Sequence, residues 1–262
     1  MSIKIDTINI KNIVVKVGTS TLTYSNGKLN LDRIDKLCFV LSDLRNRGVN
    51  VTLVSSGAIG VGVAKLGLKE RPKDTMGKQA AAAVGQCELM FLYDKLFSQY
   101  GCKTAQVLLT KDVVVDDKRR ENAHNTFKTL LNLGVIPIVN ENDAVSVEEI
   151  EFGDNDTLSA MVASLVDAQM LIIMSDIEGL YDKDPRNNPD AKIIHKVEVI
   201  DENIKSVASG AGTSRGTGGM ITKIIAAEIA KDHNVKTVIC NGENPKIIED
   251  IMSGKIVGTI FM

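Results

Sequence analysis

Two lysines beside glycine-rich turns are the residues of this chain best suited to chemistry on phosphate groups. Lys16 lies near the end of an apolar run and precedes Gly18, while Lys223 closes the glycine-rich stretch 216–223, where a helical pattern begins. Glycine lets backbone N–H groups approach an oxyanion closely, and the N-terminus of a helix favours negative charge. Each lysine adds a mobile point charge. The sequence contains no G-x-x-x-x-G-K-[ST] string, so these features predict phosphate binding without a P-loop.

Three polar stretches lie where predicted strands end or predicted helices begin. Ser55-Ser56-Gly57 joins a strand to a helix, residues 140–143 (Asn-Glu-Asn-Asp) follow a strand, and residues 154–156 (Asp-Asn-Asp) precede a helix. Each has an ordinary structural explanation: a capped helix for the first, a loop for the second and an N-cap for the third. Asn and Asp side chains could instead accept from a substrate ammonium, and Asn could donate to a carboxylate. The residues alone leave both interpretations open.

The elements that must position these residues alternate between strands and helices. Short apolar runs predict strands at 13–17, 49–54, 104–109, 135–139, 170–174, 237–240 and 257–261. Helical periodicity predicts helices at 31–47, 58–66, 78–100, 121–133, 156–166, 219–232 and 246–252. Hairpins are predicted at 144–152 and 180–200. Repeated β-α-β units imply a three-layer α/β/α sandwich with a mostly parallel central sheet, in which ligands bind at the carboxyl ends of the strands.

Composition argues against several classes of protein. With 262 residues and 44% hydrophobic content, the chain can bury a sizeable core. A formal net charge of −2 argues against a dedicated nucleic-acid binder. The four cysteines are widely spaced without a C-x-x-C, which favours reduced thiols over a disulfide or zinc framework. No apolar run approaches the ~18 residues of a membrane span. We therefore expect a cytoplasmic protein without nucleic-acid or membrane partners.

Paired lysines and glycine turns favour phosphoryl transfer, a reaction that depends on positioning and on neutralising charge. A hydroxyl acceptor usually needs a general base, and the sequence shows no convincing one. A carboxylate acceptor is already ionised at pH 7, since its unperturbed pKa is about 4.3, and it needs only cations to relieve repulsion. The sequence therefore favours an acid as the phosphoryl acceptor.

At these residues the chain resembles the amino-acid kinase family, and within it the branch that phosphorylates the γ-carboxylate of glutamate in the first step of proline synthesis. The resemblance runs along essentially the whole chain and is most specific at 15–20, 55–59, 140–145, 153–156 and 216–220. Relatives that act on N-acetylglutamate or aspartate typically carry two glycines after the first lysine, whereas Lys16 is followed here by Val17-Gly18-Thr19. The resemblance implies one kinase domain, with an acid-substrate half at about 1–168 and a nucleotide half at 169–262.

The resemblance also implies a role for each motif. Lys16 and Lys223 would neutralise the transferring phosphoryl group, and Asp156 would hold both lysines in place. The acid-substrate site would comprise Ser56, Gly57, Asn140, Asp143, Asp154 and Asn155. ATP, with Mg²⁺ bridging its phosphates, would be bound by Lys16, Ser175, Asp176, Thr217, Gly218, Gly219, Met220, Ile221, Thr222 and Lys223. No residue is assigned as a direct ligand of the metal.

The implied substrates are L-glutamate and ATP, and the implied assembly is a homo-oligomer. Proline is expected as a feedback inhibitor, because it shares the α-carboxylate and the cationic nitrogen of glutamate. Many relatives continue into a C-terminal PUA domain, which is not expected here because the chain stops at Met262. Two alternatives stay open: a kinase for another small acid such as N-acetylglutamate, and a non-catalytic amino-acid sensor, which should lack one of the two lysines.

Overall fold

The computed structural model describes residues 7, 10–24, 27–110, 112–145, 155–209 and 219–262. Strands and helices alternate along these residues. The strands are β1 Asn12–Val17, β2 Asn50–Ser55, β3 Lys103–Leu109, β4 Val135–Glu141, β5 Met170–Ser175, β6 Lys196–Val197, β7 Lys236–Asn241 and β8 Thr259–Phe261. The helices are α1 Thr19–Leu22, α2 Leu31–Asn46, α3 Ala58–Lys65, α4 Thr75–Gln99, α5 Asp112–Val115, α6 Asp117–Asn132, α7 Asn155–Leu165, α8 Glu202–Ser209, α9 Met220–Asp232 and α10 Ile247–Met252.

The strands form one sheet in the order β3-β4-β2-β1-β5-β7-β8-β6. Neighbouring strands are parallel, apart from the antiparallel pair β7 and β8. Strand β1 lies between β2 and β5, and Lys16 pairs with Val54 on one side and Ile173 on the other. The predicted mostly parallel sheet is confirmed, and it places the first lysine on a central strand.

Two hydrophobic layers cover the two faces of this sheet, because side chains alternate along each strand. Ile13, Val15 and Val17 face the core that α2, α3, α4 and α10 cover. Val14 faces the opposite core, which α6, α7, α8 and α9 cover. The structure is therefore the predicted three-layer α/β/α sandwich, and the even-numbered positions of β1 point toward α7 and α9.

Some elements depart from the sequence predictions at their ends. Helix α4 begins at Thr75 rather than at 78, because Asp74 caps it by accepting from Gly77 N–H at 2.7 Å. Helix α6 begins at Asp117 rather than at 121, since Asp116 likewise accepts from Arg119 N–H at 2.9 Å. Both aspartates look like ordinary polar loop residues in sequence, and only the capping geometry distinguishes them.

The predicted hairpins have different outcomes. Within 180–200, Tyr181 and Ile193 form an antiparallel bridge, and the segment then pairs β6 parallel with β8. Of the hairpin predicted at 144–152, residues 146–152 lie outside the described residues. Helices α1, α5 and α8 were not predicted; α1 and α5 are only four residues long, too short to show helical periodicity. In the part of the chain that the structure describes, no helix combines the length and apolar character needed to span a bilayer.

Helices α3 and α4 approach each other so closely that glycine is required at their contact. A Cβ added at Gly62 would lie 1.8 Å from the carbonyl oxygen of Ala81, and one added at Gly85 would lie 1.8 Å from that of Ala58. A Cβ at Gly60 would be no closer than 4.0 Å to its neighbours. Of these two α3 glycines, only Gly62 makes a close packing contact with α4.

We expect Gly62→Ala to destabilise the protein by about 1–3 kcal/mol or more, because backbone atoms of α4 must move to admit the methyl group. Gly60→Ala is the matched control on the same helix, and it should be neutral or stabilising by up to ~1 kcal/mol, since alanine favours helix. Urea unfolding of both variants checks this difference. Equal midpoints for the two variants would contradict the packing described here.

Candidate active site

A buried carboxylate joins the two lysines that the sequence singles out. Asp156 Oδ1 lies 2.6 Å from Lys16 Nζ, and Asp156 Oδ2 lies 3.1 Å from Lys223 Nζ. Asp156 is 0% exposed, and the two lysines are 4% and 7% exposed. Each ammonium therefore meets its own carboxylate oxygen inside the protein, where an isolated charge would be costly.

Three elements bring this cluster together, and each does so for a local reason. Lys16 is on the face of β1 that α7 and α9 cover, as the alternation of side chains along the strand requires. Asp156 is in the first turn of α7, and Lys223 is in the first turn of α9. The N-termini of two helices thus meet one central strand.

Opposing effects act on the pKa of Asp156. Burial raises the pKa, because it removes water from the carboxylate, whereas the charges and hydrogen bonds of Lys16 and Lys223 lower it. The lysines prevail and the pKa lies below its usual value. The carboxylate is therefore ionised at neutral pH, and the cluster carries one negative and two positive charges.

Thr222 also contacts this carboxylate. Its hydroxyl lies 2.9 Å from Asp156 Oδ2 and 2.8 Å from the carbonyl oxygen of Gly219. Gly219 is the N-cap of α9 and has no side chain that could accept from the first-turn N–H groups. These N–H groups and Lys223 form a positively polarised helix end that suits phosphate. The structure thus shows Thr222 in contact with Asp156, and its role in ATP binding remains a prediction.

A second polar cluster lies at the ends of β2 and β4. Asn155 Nδ2 lies 2.9 Å from Ser56 Oγ, 2.9 Å from Asn140 Oδ1 and 3.3 Å from the carbonyl oxygen of Ser55. Asn140, which is buried, donates in turn from Nδ2 to Gln86 Oε1 at 2.9 Å. Three of the predicted acid-substrate residues are thus joined, because Asn155 is hydrogen-bonded to both Ser56 and Asn140.

The direction of these hydrogen bonds limits what the second cluster can offer to a ligand. Asn155 donates its Nδ2 protons to neighbouring oxygens of the protein, so its carboxamide oxygen is the part that can accept from a ligand. Ser56 Oγ accepts from Asn155, so its own proton can be donated elsewhere. One acceptor and one donor therefore lie side by side, as the ammonium and carboxylate of an amino acid require.

The two clusters are joined by adjacent residues at the start of α7. Asn155 belongs to the polar cluster, and Asp156 belongs to the lysine cluster. An acid held at the polar cluster would therefore lie near the charges of the lysine cluster. The turn between β2 and α3 is fixed by Gly57, whose φ of 105° favours glycine, and by Ser56 N–H, which donates to Val17 carbonyl at 3.1 Å.

The predicted nucleotide residues lie partly at the end of β5, next to β1. Ser175 is buried and its hydroxyl donates to Asp176 at 3.1 Å, while Asp176 is exposed. Met220, Ile221 and Thr222 form the first turn of α9. Thr217, Gly218 and Asp154 lie outside the described residues. Asp143 lies in the turn that follows β4, where its predicted contact with the acid substrate remains a prediction.

Sequence reasoning missed two residues that support the polar cluster. Gln86 bonds to Asn140, and Tyr93 bonds to Ser55 Oγ at 2.9 Å from a fully buried position. Burial raises the pKa of Tyr93, so its hydroxyl stays protonated. Both lie on α4, seven residues apart and therefore on the same side of the helix. A polar residue within the alanine-rich half of α4 is the only signal that could have indicated Gln86.

A mostly parallel sheet with two lysines around one carboxylate at its ligand-binding edge suits a phosphotransferase for small molecules. The profile of the amino acid kinase family matches residues 11–241. The chain belongs to the amino acid kinase family, as the sequence motifs indicate.

Among the relatives, glutamate 5-kinase of Clostridium perfringens is 56% identical over 256 residues, which are 96% of this chain and 95% of the relative. Glutamate 5-kinase of Clostridium tetani is 58% identical, over 97% of this chain and 95% of the relative. Glutamate 5-kinase of Thermoanaerobacter sp. strain X514 is 54% identical, over 95% of this chain and 67% of a longer relative.

Two solved structures share the fold at low sequence identity. UMP kinase from Ureaplasma parvum is similar with a TM-score of 0.66 at 14% identity, over 97% of this chain and 99% of that chain. Isopentenyl phosphate kinase from T. acidophilum has a TM-score of 0.65 at 17% identity, over 95% of this chain and 99% of that chain. These similarities confirm the predicted amino-acid kinase fold.

Asp156→Asn should destabilise the protein by about 3–5 kcal/mol at pH 7, because two buried ammonium groups lose their counter-charge. The pKa of Asp156 is lowered in the folded state, so its contribution is complete above the unfolded pKa of about 3.9 and is lost only as the pH falls further. The difference in unfolding free energy should therefore stay constant from about pH 8 to pH 5.

The control for this prediction is Asp32→Asn, which breaks an exposed pair with Lys36 on α2 and should change stability little. Urea unfolding at several pH values measures both variants. Equal losses of stability in the two variants would contradict the assignment of Asp156 as the counter-ion of the two lysines.

Proposed function

We propose that this chain transfers the γ-phosphoryl group of ATP to the γ-carboxylate of L-glutamate, forming γ-glutamyl phosphate in the first step of proline biosynthesis. The observation that carries the proposal is the adjacency of Asn155 and Asp156, which joins an amino-acid-binding cluster to a pair of buried lysines. Relatives at 53–58% identity that are named glutamate 5-kinase support the choice of acid.

The acid-substrate cluster accounts for recognition of an unmodified amino acid. The carboxamide oxygen of Asn155 would accept from the substrate ammonium, and Ser56 would donate to the α-carboxylate. The carboxylate of Asp143, in the turn after β4, would add a negative charge for the same ammonium. Asp154 and Gly57 complete the set of residues proposed for this site.

The lysine cluster accounts for catalysis without a general base. The γ-carboxylate of the substrate is ionised at neutral pH and can attack directly, so the main barrier is repulsion between two anions. Lys16 and Lys223 each carry three N–H donors, so each could bind a phosphoryl oxygen in addition to Asp156. Asp156 holds the two ammonium groups apart at a fixed separation, which pre-organises the positive charge.

The nucleotide would be held by residues from the end of β5 and the start of α9. Ser175 and Asp176 lie beside the central strand, and Gly219, Met220, Ile221 and Thr222 present the N-terminus of α9, with Thr217 and Gly218 preceding it. The ammonium groups of Lys16 and Lys223 are cationic hydrogen-bond donors, which suit phosphate oxygens. Mg²⁺, when bound to these phosphates, supplies further neutralisation of their charge. The acid half at about 1–168 and the nucleotide half at 169–262 then form one domain.

We expect glutamate to be phosphorylated with a kcat/KM at least about 100-fold higher than that of N-acetylglutamate. Acetylation removes the substrate ammonium group that Asn155 and Asp143 would bind. A coupled assay of ADP release with each acid and with aspartate measures this. Equal kcat/KM for the two acids would contradict the assignment, and a preference for N-acetylglutamate would support the alternative kinase. Absence of turnover with every acid would support a sensor.

Lys16→Met and Lys223→Met should each lower kcat by roughly 10²–10³, which corresponds to about 3–4 kcal/mol, since each lysine acts on charge that develops in the transition state. Lys36→Met is the control, because Lys36 is an exposed lysine on α2. Steady-state rates with varied ATP and glutamate separate kcat from KM. A change confined to the KM for ATP would instead identify the lysine as a ground-state contact.

Inhibition by proline, a homo-oligomeric assembly and a cytoplasmic location are proposed along with this function. Proline offers a carboxylate to Ser56 and a cationic nitrogen to Asn155, but no γ-carboxylate for phosphoryl transfer. It would therefore compete with glutamate at the polar cluster.

A further inference from the structure

Helix α4 contributes a side chain to the polar cluster that the proposed function does not use. Gln86 Oε1 accepts from Asn140 Nδ2 at 2.9 Å. Gln86 also borders a cleft of about 380 Å³ between α4, β3 and the turn after β4, which Asp143 lines as well. The side chain thus lies between the body of α4 and the proposed acid-substrate site.

The carboxamide of Asn140 has only one orientation in which its neighbours are satisfied. Glu141 N–H and Asn155 Nδ2 both donate to Asn140 Oδ1, each at 2.9 Å. A backbone N–H can only donate, so a rotation of the carboxamide by 180° would set the NH₂ group of Asn140 against two donors. Asn140 Nδ2 must therefore face Gln86, and because Asn140 is 3% exposed it needs an acceptor there.

The resulting hydrogen bonds link α4 to the ligand site, and each donor in the chain from Asn155 to Gln86 points toward α4. Asn140 donates to Gln86, Asn155 donates to Asn140 and to Ser56, and the Ser56 proton is left for a carboxylate. The orientation of Asn155, and with it the acceptor offered to an ammonium, therefore depends on Asn140 being held in place.

The backbone of α4 at this point is fixed against the same site. Gly85 precedes Gln86, and a Cβ there would lie 1.8 Å from the carbonyl oxygen of Ala58, the first residue of α3. Ala58 directly follows the turn that contains Ser56 and Gly57. This packing fixes the distance of Gln86 from the turn, because α4 cannot move closer to α3.

We propose that Gln86 is a positioning residue for the acid substrate: it supplies the acceptor that holds Asn140, and through Asn140 it orients Asn155 and Ser56 toward the ammonium and carboxylate of the amino acid. This inference rests on the proposed function and adds a residue to it. Gln86 acts on binding of the acid, and the lysine cluster acts on the phosphoryl group, so the two roles are separable in kinetics.

Gln86→Met is the direct test, since methionine keeps the length of the side chain and removes the strong acceptor. The KM for glutamate should rise roughly tenfold, because a buried donor on Asn140 loses its partner. The kcat and the KM for ATP should stay within about twofold of the wild-type values. Gln106→Met is the matched control, because Gln106 lines the same cleft from β3 and should leave the KM for glutamate unchanged.

A double-mutant cycle with Asn140→Leu tests whether Gln86 acts through Asn140. Asn140→Leu removes the donor, so adding Gln86→Met should leave the KM for glutamate of that parent unchanged. A tenfold rise in both backgrounds would overturn the proposal, as would an unchanged KM in Gln86→Met alone or a loss confined to kcat.

The same double variant covers the case in which Gln86→Met does not fold. Asn140→Leu removes the acceptor for Glu141 N–H and Asn155 Nδ2 as well as the donor to Gln86, so the Asn140→Leu single variant is the reference for folding. The double variant should fold as well as this parent and keep its KM, whereas a double variant that unfolds where the parent folds would identify Gln86 as a general structural residue and overturn the proposal. Wild-type protein with no activity toward glutamate would refute the proposed function, which is a result distinct from active protein with an unaltered KM in Gln86→Met.

Discussion

The ion cluster of Asp156 with Lys16 and Lys223 is the interaction on which the rest of the structure depends. Three groups that are at most 7% exposed carry charge, and removal of a charged partner from such a buried pair typically costs 3–5 kcal/mol. The fold must therefore keep β1, α7 and α9 in one arrangement. A shift of either helix along the sheet would separate a lysine from its carboxylate oxygen.

In the proposed function, the cluster would also allow an acid to be phosphorylated without a base. The net charge of the three groups is positive, and it lies where the first turns of two helices point toward the end of the central strand. Anions are attracted to such a place by both the ammonium charges and the helix dipoles. Asp156 binds the two ammonium groups through separate oxygens, and its negative charge offsets the repulsion between them.

The proposed acid-substrate side is built by a different kind of interaction. The carboxamides of Gln86, Asn140 and Asn155 and the hydroxyl of Ser56 form a directional network across α4, β4, α7 and the turn after β2. Hydrogen-bonded neutral groups cost less to bury than charges, and a polar network whose members are satisfied is rigid. Close packing of α3 on α4 through glycine holds the ends of this network at a constant distance. In the proposed function, charge would therefore serve the phosphoryl group, and directional hydrogen bonds would serve the amino acid.

The sequence by itself determined the class of fold, because buried parallel strands leave continuous apolar runs and helices leave a periodic pattern. It also indicated the paired lysines, since a charge near the end of a buried strand is costly unless it finds a partner or a cleft, and a lysine beside a glycine turn suits phosphate. The partner of these lysines, however, was assigned by resemblance. Asp156 could equally be a helix cap until the fold shows it between Lys16 and Lys223.

Only the tertiary structure decided which polar residues meet. Gln86 and Asn140 are 54 residues apart in sequence, and Asn155 and Ser56 are 99 residues apart. No local pattern encodes such contacts, because they depend on the order of strands in the sheet and on the register of α4 against it. Helix starts at Thr75 and Asp117 were missed for a related reason. A capping aspartate cannot be told from a loop aspartate in the sequence, because only its hydrogen bonds to backbone N–H groups distinguish it.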